Sequence, residues 1–177
     1  MTGDRMKLRL GLVALLLASA SLFAAVPASR PLPRPLADQV GRLAELLRDS
    51  HASEYAEARM FQVIRRERSE DLVLVVFSLE GYGGGNSYTQ FLAAFEADTG
   101  DPKKPHFTLL DVIAIGGRGV RTVQALNART SANPRNTEMA FALDVLENTD
   151  SDAPNFPSRK AVLNVLLRDG RLTLRKP

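Results

Sequence analysis

Three carboxylates and one glycine-rich loop are the features of this chain with a chemistry to test. Glu80 closes an apolar run, Asp111 sits inside "HFTLLDVIAIGG", and Asp144 sits inside "EMAFALDVLEN". Two carboxylates facing one cleft would support hydrolysis, one acting as acid and the other as base or nucleophile. The simpler account is that each faces solvent or is paired for structure. If Asp111 turns toward the core it needs a partner, such as Arg118 or Arg121 across the short turn. In strand alternation, Asp111 falls on the face of Phe107, Leu109, Ile113 and Ile115.

The loop "EGYGGGNSY", Glu80 to Tyr88, places four glycines within five residues. A phosphate loop of the G-x-x-x-x-G-K-[ST] type needs a lysine, and no basic residue lies between Arg68 and Lys103. The dinucleotide fingerprint G-x-G-x-x-G would put its third glycine at Asn86, so it fails. A calcium loop needs several oxygens in a short span, and only Glu80 and Asn86 offer them. No cofactor and no metal are therefore assigned. Two readings remain. The glycines make a wide connection between strands, or the loop binds something. The candidate contacts are Glu80, Tyr82, Gly83, Gly84, Gly85, Asn86 and Tyr88, because aromatic area framed by glycine suits recognition at low entropy cost.

Other chemistry is thinly represented. The two histidines, His51 and His106, have no His, Cys or acidic neighbour at ligand spacing. There is no G-x-S-x-G motif, and with no cysteine a reactive thiol is impossible. The polar stretch "TDSDAPNFPSRK", Thr149 to Lys160, offers oxygens from Asp150, Asp152, Asn155 and Ser158. Two prolines and Phe156 interrupt them, so it reads as a rigid turn.

The N-terminus bounds where these groups act. Lys7 and Arg9 precede an apolar run from Leu10 to Ala25, and Val26-Pro27-Ala28 is a small-x-small cleavage site. Residues 1–28 read as a secretory signal peptide, and the expected location is periplasmic or secreted. The membrane is met only through that segment before cleavage. Cleavage after Ala28 leaves 149 residues. Without disulfides they must be held by one core, for which they suffice. The whole chain has 23 Lys+Arg against 20 Asp+Glu; residues 1–28 hold Arg5, Lys7, Arg9 and Asp4, so 20 basic and 19 acidic residues remain. That balance gives no nucleic-acid footprint.

The elements that must position the candidates follow from periodicity. Residues 29–35, within "SRPLPRPL", read as a Pro-rich spacer, and a single domain is expected over 36–177. Leu36, Val40, Leu43, Leu46 and Leu47 recur at helical spacing. Beyond them the period becomes two. "ARMFQVIRR" is a strand, and "DLVLVVFSLE" is apolar on both faces until Ser78, as for a central strand covered on both sides. Residues 87–99 fit either a capped helix or a strand, and the strand agrees better with their surroundings. "HFTLLDVIAIGG", "VRTVQALNA" and "EMAFALDVLEN" supply three more. In "AVLNVLLRDGRLTL", Asp169-Gly170 predicts a type I′ hairpin pairing Leu167 with Leu172 and Val165 with Leu174. A weak echo relates the two strand–acid–loop–strand segments around the glycine loop and around Thr149–Lys160. It would bring both loops to one end of the sheet, the candidate binding surface.

The expected fold class is α+β: one N-terminal amphipathic helix packed on an antiparallel meandering sheet of about seven or eight strands. The expected function is a non-catalytic extracytoplasmic binding or interaction module. Its partner is an unidentified protein or envelope ligand. The alternative is a cell-envelope hydrolase using Glu80, Asp111 and Asp144.

Overall fold

The computed structural model describes residues 31–66, 69–98, 100–101, 105–132 and 138–175. The signal-peptide pattern lies outside them. Helix α1 spans Arg34–Leu47, starting two residues ahead of Leu36. Pro33 is its N-cap, and Pro35 occupies the first turn, where a missing N–H costs nothing. Leu36, Val40, Leu43 and Ala44 are buried. Leu46, expected on the same stripe, is 83 % exposed, because it lies to one side of the line through Leu36, Val40, Leu43 and Leu47. Among the described residues no helix is long and apolar enough to cross a membrane.

Ten strands follow among the described residues: β1 Ser53–Glu54, β2 Met60–Ile64, β3 Asp71–Glu80, β4 Tyr88–Asp98, β5 His106–Gly117, β6 Arg121–Thr122, β7 Arg129–Ala132, β8 Met139–Glu147, β9 Arg159–Arg168 and β10 Arg171–Arg175. They form one antiparallel sheet in the order β1-β3-β4-β5-β6-β8-β9-β10, with β2 also on β3 and β7 also on β8. The class is α+β as expected, with more strands than seven or eight. The added ones are short. β1 and β2 share one edge of β3, separated by the 3₁₀ turn Ala56–Ala58. The segment expected as one strand, "VRTVQALNA", ladders only at Arg121–Thr122 before leaving the sheet. Residues 87–99 contain a strand, Tyr88–Asp98.

The sheet folds back over itself, and two apolar clusters result. Alternate residues of β3 explain both. Val73, Val75, Phe77 and Leu79 meet Leu36, Val40, Leu43 and Ala44 of the helix, together with Ala93 and Phe95 of β4. Leu72, Leu74 and Val76 meet Leu92 and Ala94 on β4, then Phe141, Leu143, Val145, Leu163, Val165, Leu167 and Leu172 from the folded-over half. Leu72–Leu79 are all buried, Ser78 included, which is the two-sided cover that the continuous apolar run requires. Phe77 and Phe91 face each other across β3 and β4 with stacked rings 5.4 Å apart. Such a pair adds about 0.5–1.5 kcal/mol beyond its buried area.

The C-terminal hairpin forms in the expected register, Leu167 opposite Leu172 and Val165 opposite Leu174. Asp169 (φ 50°) and Gly170 (φ 72°) make its turn, the left-handed pair that a type I′ turn demands. Leu163, Val165, Leu167 and Leu172 are buried, while Leu174 is 44 % exposed.

Strand β5 departs from simple alternation. Its pairing with β4 shifts between Ala94 and Phe95 and again between Gln90 and Phe91, so β5 carries an extra residue at each place. Phe107 lies opposite Ala97 and belongs to the helix-side cluster, whereas Asp111 lies opposite Ala94 of the other cluster. The expected common face of Phe107 and Asp111 is therefore broken by the bulge at Leu110, since one extra residue exchanges the faces. At the second bulge the backbone approaches closely. A Cβ on Gly116 would lie 2.6 Å from the Arg121 carbonyl oxygen, and one on Gly117 would lie 2.7 Å from that of Tyr88. Only glycine fits at such contacts.

Candidate functional site

The inner face of the β3–β4 hairpin changes character along its length. Leu72, Leu74, Val76, Leu92 and Ala94 line its core end. Beyond them, Ser78 faces Gln90 and Glu80 faces Tyr88. These four polar residues form the floor of a groove of about 450 Å³. One wall comes from the break between β1 and β2, where the 3₁₀ turn leaves the sheet and brings Tyr55 and Ala58 over the gap. The Tyr55 amide donates to the Ser78 carbonyl at 3.2 Å. Thr122 and Gln124 form a second wall, and Asn155, Phe156 and Pro157 a third.

Phe156 is 74 % exposed and Tyr55 51 %. Phe156 is nevertheless held firmly. The Asp152 carboxylate accepts the Thr149 amide at 2.8 Å, the Ser158 amide at 3.1 Å and the Ser158 hydroxyl at 2.9 Å. The Phe156 amide donates to Ala153 O at 2.9 Å, and the Pro154 carbonyl accepts the Gly119 amide at 2.7 Å. These amides, Thr149 above all, hold the Asp152 carboxyl below its usual range. An exposed aromatic on a backbone fixed in this way presents its surface with only its two side-chain torsions left to order on binding.

The glycine loop contributes less to the groove than its sequence implied. Gly81, Gly83 and Gly84 all have positive φ, from 64° to 93°. That path turns Tyr82 back onto the helix-side cluster, where its hydroxyl donates to Leu47 O at 3.1 Å. Burial raises its phenol pKa, with Asp49 adding to the effect. The Gly83 amide donates to Asp49 Oδ2 at 2.9 Å, and Asp49 Oδ1 accepts the amides of His51 and Ala52 at 2.9 and 2.7 Å. Tyr82 and Gly83 thus fasten the loop to the end of α1, while the Gly84 amide closes the turn on Gly81 O at 2.9 Å. Glu80 and Tyr88 line the groove. Asn86 borders it through its carbonyl, which accepts a long 3.4 Å bond from Asn155 Nδ2. That bond joins the glycine loop to the Thr149–Lys160 loop at one end of the sheet.

Nine lining residues were not among the sequence candidates, including Tyr55, Ser78, Gln90, Thr122, Gln124 and Phe156. Phe156 had a signal, an aromatic between prolines in a polar loop. Ser78 and Glu80 had one too, the polar turn of the even positions after Leu72, Leu74 and Val76.

The three carboxylates are not brought to one cleft. Glu80 lines the groove. Asp144 borders a different hollow on the outer side of β8 and β9, and forms a two-bond ion pair with Arg129 at 2.6 and 2.9 Å. That guanidinium holds the Asp144 carboxyl below its usual range. Asp111 Oδ2 accepts the Leu172 amide at 2.8 Å, and Oδ1 accepts the Val112 amide at 2.8 Å. Its partners are backbone amides rather than Arg118 or Arg121; Arg121 pairs instead with Glu147.

Among the described residues no group of three or more His, Cys, Asp or Glu side chains is placed to hold a metal ion. Comparison of the chain with protein-family models, with curated proteins and with solved structures gives no match.

Proposed function

We propose that this protein is a non-catalytic binding module of the extracytoplasmic space, and that its ligand lies in the groove between Tyr55, Tyr88 and Phe156. The single observation carrying this reading is Phe156: a large apolar side chain, mostly exposed, carried at the rim of a concave surface on a backbone held by the Asp152 turn. Exposed aromatics on rigid supports are the side chains that dominate binding energy. The export signal read in residues 1–28 supports the location.

A hydrolytic reading asks for a second carboxylate facing Glu80. Glu80 is the one carboxylate among the groove's lining residues. That favours binding over acid/base chemistry.

A thermal-shift screen of the protein against calcium, envelope glycans and small metabolites tests the proposal. A ligand of the groove raises Tm by mass action, and the rise disappears in Phe156→Ala. That exposed substitution should change stability itself by less than about 0.5 kcal/mol. Ligands that shift Tm equally in both proteins would refute the groove as the site.

A further inference from the structure

We infer that the groove takes an organic cation, an ammonium or guanidinium group carried on an aliphatic chain; this rests on the groove being the binding site. Of the eleven residues that line the groove, only Glu80 is charged. It is exposed, and its carboxylate makes no ion pair or hydrogen bond with the described residues. Neighbouring carboxylates behave differently. Glu54 is taken up by Arg59, Glu147 by Arg121 and Arg159, and Asp152 by the Thr149–Ser158 turn. Arg59, Arg121 and Arg159 are thus committed to other acids; Arg118, in the turn beside Tyr88, is not, but neither it nor any other arginine lines the groove. An anionic ligand would meet Glu80 with no compensating cation among the lining residues, which charge repulsion disfavours.

The aromatic residues point the same way. Tyr88 is the cross-strand partner of Glu80, and Tyr55 and Phe156 line the same groove from separate segments. A carboxylate among aromatic rings favours a cation twice, through its charge and through the negative faces of the rings. The aliphatic stem of an amine or arginine buries well on the exposed faces of Phe156 and Tyr55 while its head stays near the carboxylate. Ser78, Thr122 and Gln124 add neutral oxygens at the same surface. Free polyamines and the Lys or Arg side chains of a peptide share this chemistry.

Intrinsic tyrosine fluorescence reports the site directly, because the chain has no Trp and three Tyr, two of which, Tyr55 and Tyr88, line the groove. The probes are spermidine, a short Lys/Arg-containing peptide, the same peptide with Gln at those positions, and a neutral chitin trisaccharide. Saturable quenching or enhancement by spermidine, by the basic peptide or by both is expected, with the stronger of the two identifying the source. The Gln peptide and the sugar should be silent. Glu80→Gln should weaken cation binding roughly threefold to tenfold, and Phe156→Ala by a similar factor. Both side chains are exposed, and far-UV circular dichroism confirms that the variants fold. Binding of the sugar or the Gln peptide in preference to the cations, lost in Phe156→Ala, overturns the cation and leaves the groove standing. Cation binding unchanged in both variants overturns both. No response to any probe overturns the cation.

Discussion

Gln90 holds Val123 as a strand would. Its Oε1 accepts the Val123 amide at 2.7 Å, and its Nε2 donates to the Val123 carbonyl at 3.2 Å. Gln62 repeats the arrangement on Ala128, at 2.7 and 3.1 Å. Two side-chain amides thus supply the ladder that the segment between β6 and β7 lacks. They pin Val123 and Ala128 into the core and leave Gln124 free to border the groove.

Replacing Gln90 with Leu keeps the volume and removes both bonds, together with the one that Oε1 accepts from the Thr122 hydroxyl at 3.1 Å. The Val123 amide and carbonyl are then left inside without partners, and the cost should be about 2–4 kcal/mol. Urea unfolding should show a lower midpoint at unchanged slope, and hydrogen exchange should accelerate at Val123 first. Gln62→Leu should act likewise at Ala128. A Gln90→Leu protein as stable as the parent would show that the clamp contributes nothing.

Asp111 performs the same service for the far edge of the sheet. Strand β10 has β9 on one side, and its Leu172 amide turns to Asp111 on the other. The carboxylate covers an edge amide and ties β10 to β5. Asp111→Ala should destabilise by about 1–2 kcal/mol, with Asp111→Asn milder because one oxygen still accepts. Both should speed exchange of the Leu172 amide. Activity or binding at the groove should be unaffected by either variant, and a loss there would return Asp111 to the list of functional carboxylates.

These two clamps also show where sequence reading stops. The hairpin at Asp169-Gly170 was legible because its turn type and its alternation are local, and the pairing Leu167–Leu172 follows by counting. The continuous run Leu72–Leu79 announced two covered faces for the same reason. Asp111 was misplaced because the bulge at Leu110 leaves no mark on hydrophobic alternation, yet it exchanges every face beyond it. "VRTVQALNA" alternates like a strand, but its partners beyond Thr122 are Gln90 and Gln62, fixed by chain more than 30 residues away. The groove was half legible. Glu80 and Tyr88 were named from the loop they flank, while Tyr55 and Phe156 arrive from segments brought together only by tertiary folding.

The two loops at the groove should respond to acid. Asp49 is held below its ordinary 3.8 by the amide of Gly83, and then by those of Ala52 and His51. Asp152 is lowered chiefly by the Thr149 amide. A depressed folded-state value means that the unfolded chain takes up protons more readily. The stabilisation is therefore complete above 3.8 and is lost as the pH falls through the folded-state values. The amide resonances of Gly83 and Thr149 should titrate with inflections below 3.8, and Asp49→Asn should abolish the inflection at Gly83. Inflections at or above 3.8 would contradict the assignment of these amides as the cause.

Tyr82 and Tyr88 flank the same glycines and should behave in opposite ways. Tyr82 donates to Leu47 O and packs with the helix-side cluster, so Tyr82→Phe removes one partly buried hydrogen bond and nothing else. Its cost should be about 0.5–1.5 kcal/mol of stability, with ligand affinity unchanged. Tyr88 presents its side chain to the groove beside Glu80. Tyr88→Ala should weaken the groove's ligand severalfold, as the loss of an aromatic contact does. Tyrosine fluorescence separates them further, because Tyr82→Phe should preserve the ligand-induced change and Tyr88→Phe should diminish it. An unchanged signal in Tyr88→Phe together with a lost signal in Tyr82→Phe would move the site away from the groove and onto the junction of the glycine loop with α1.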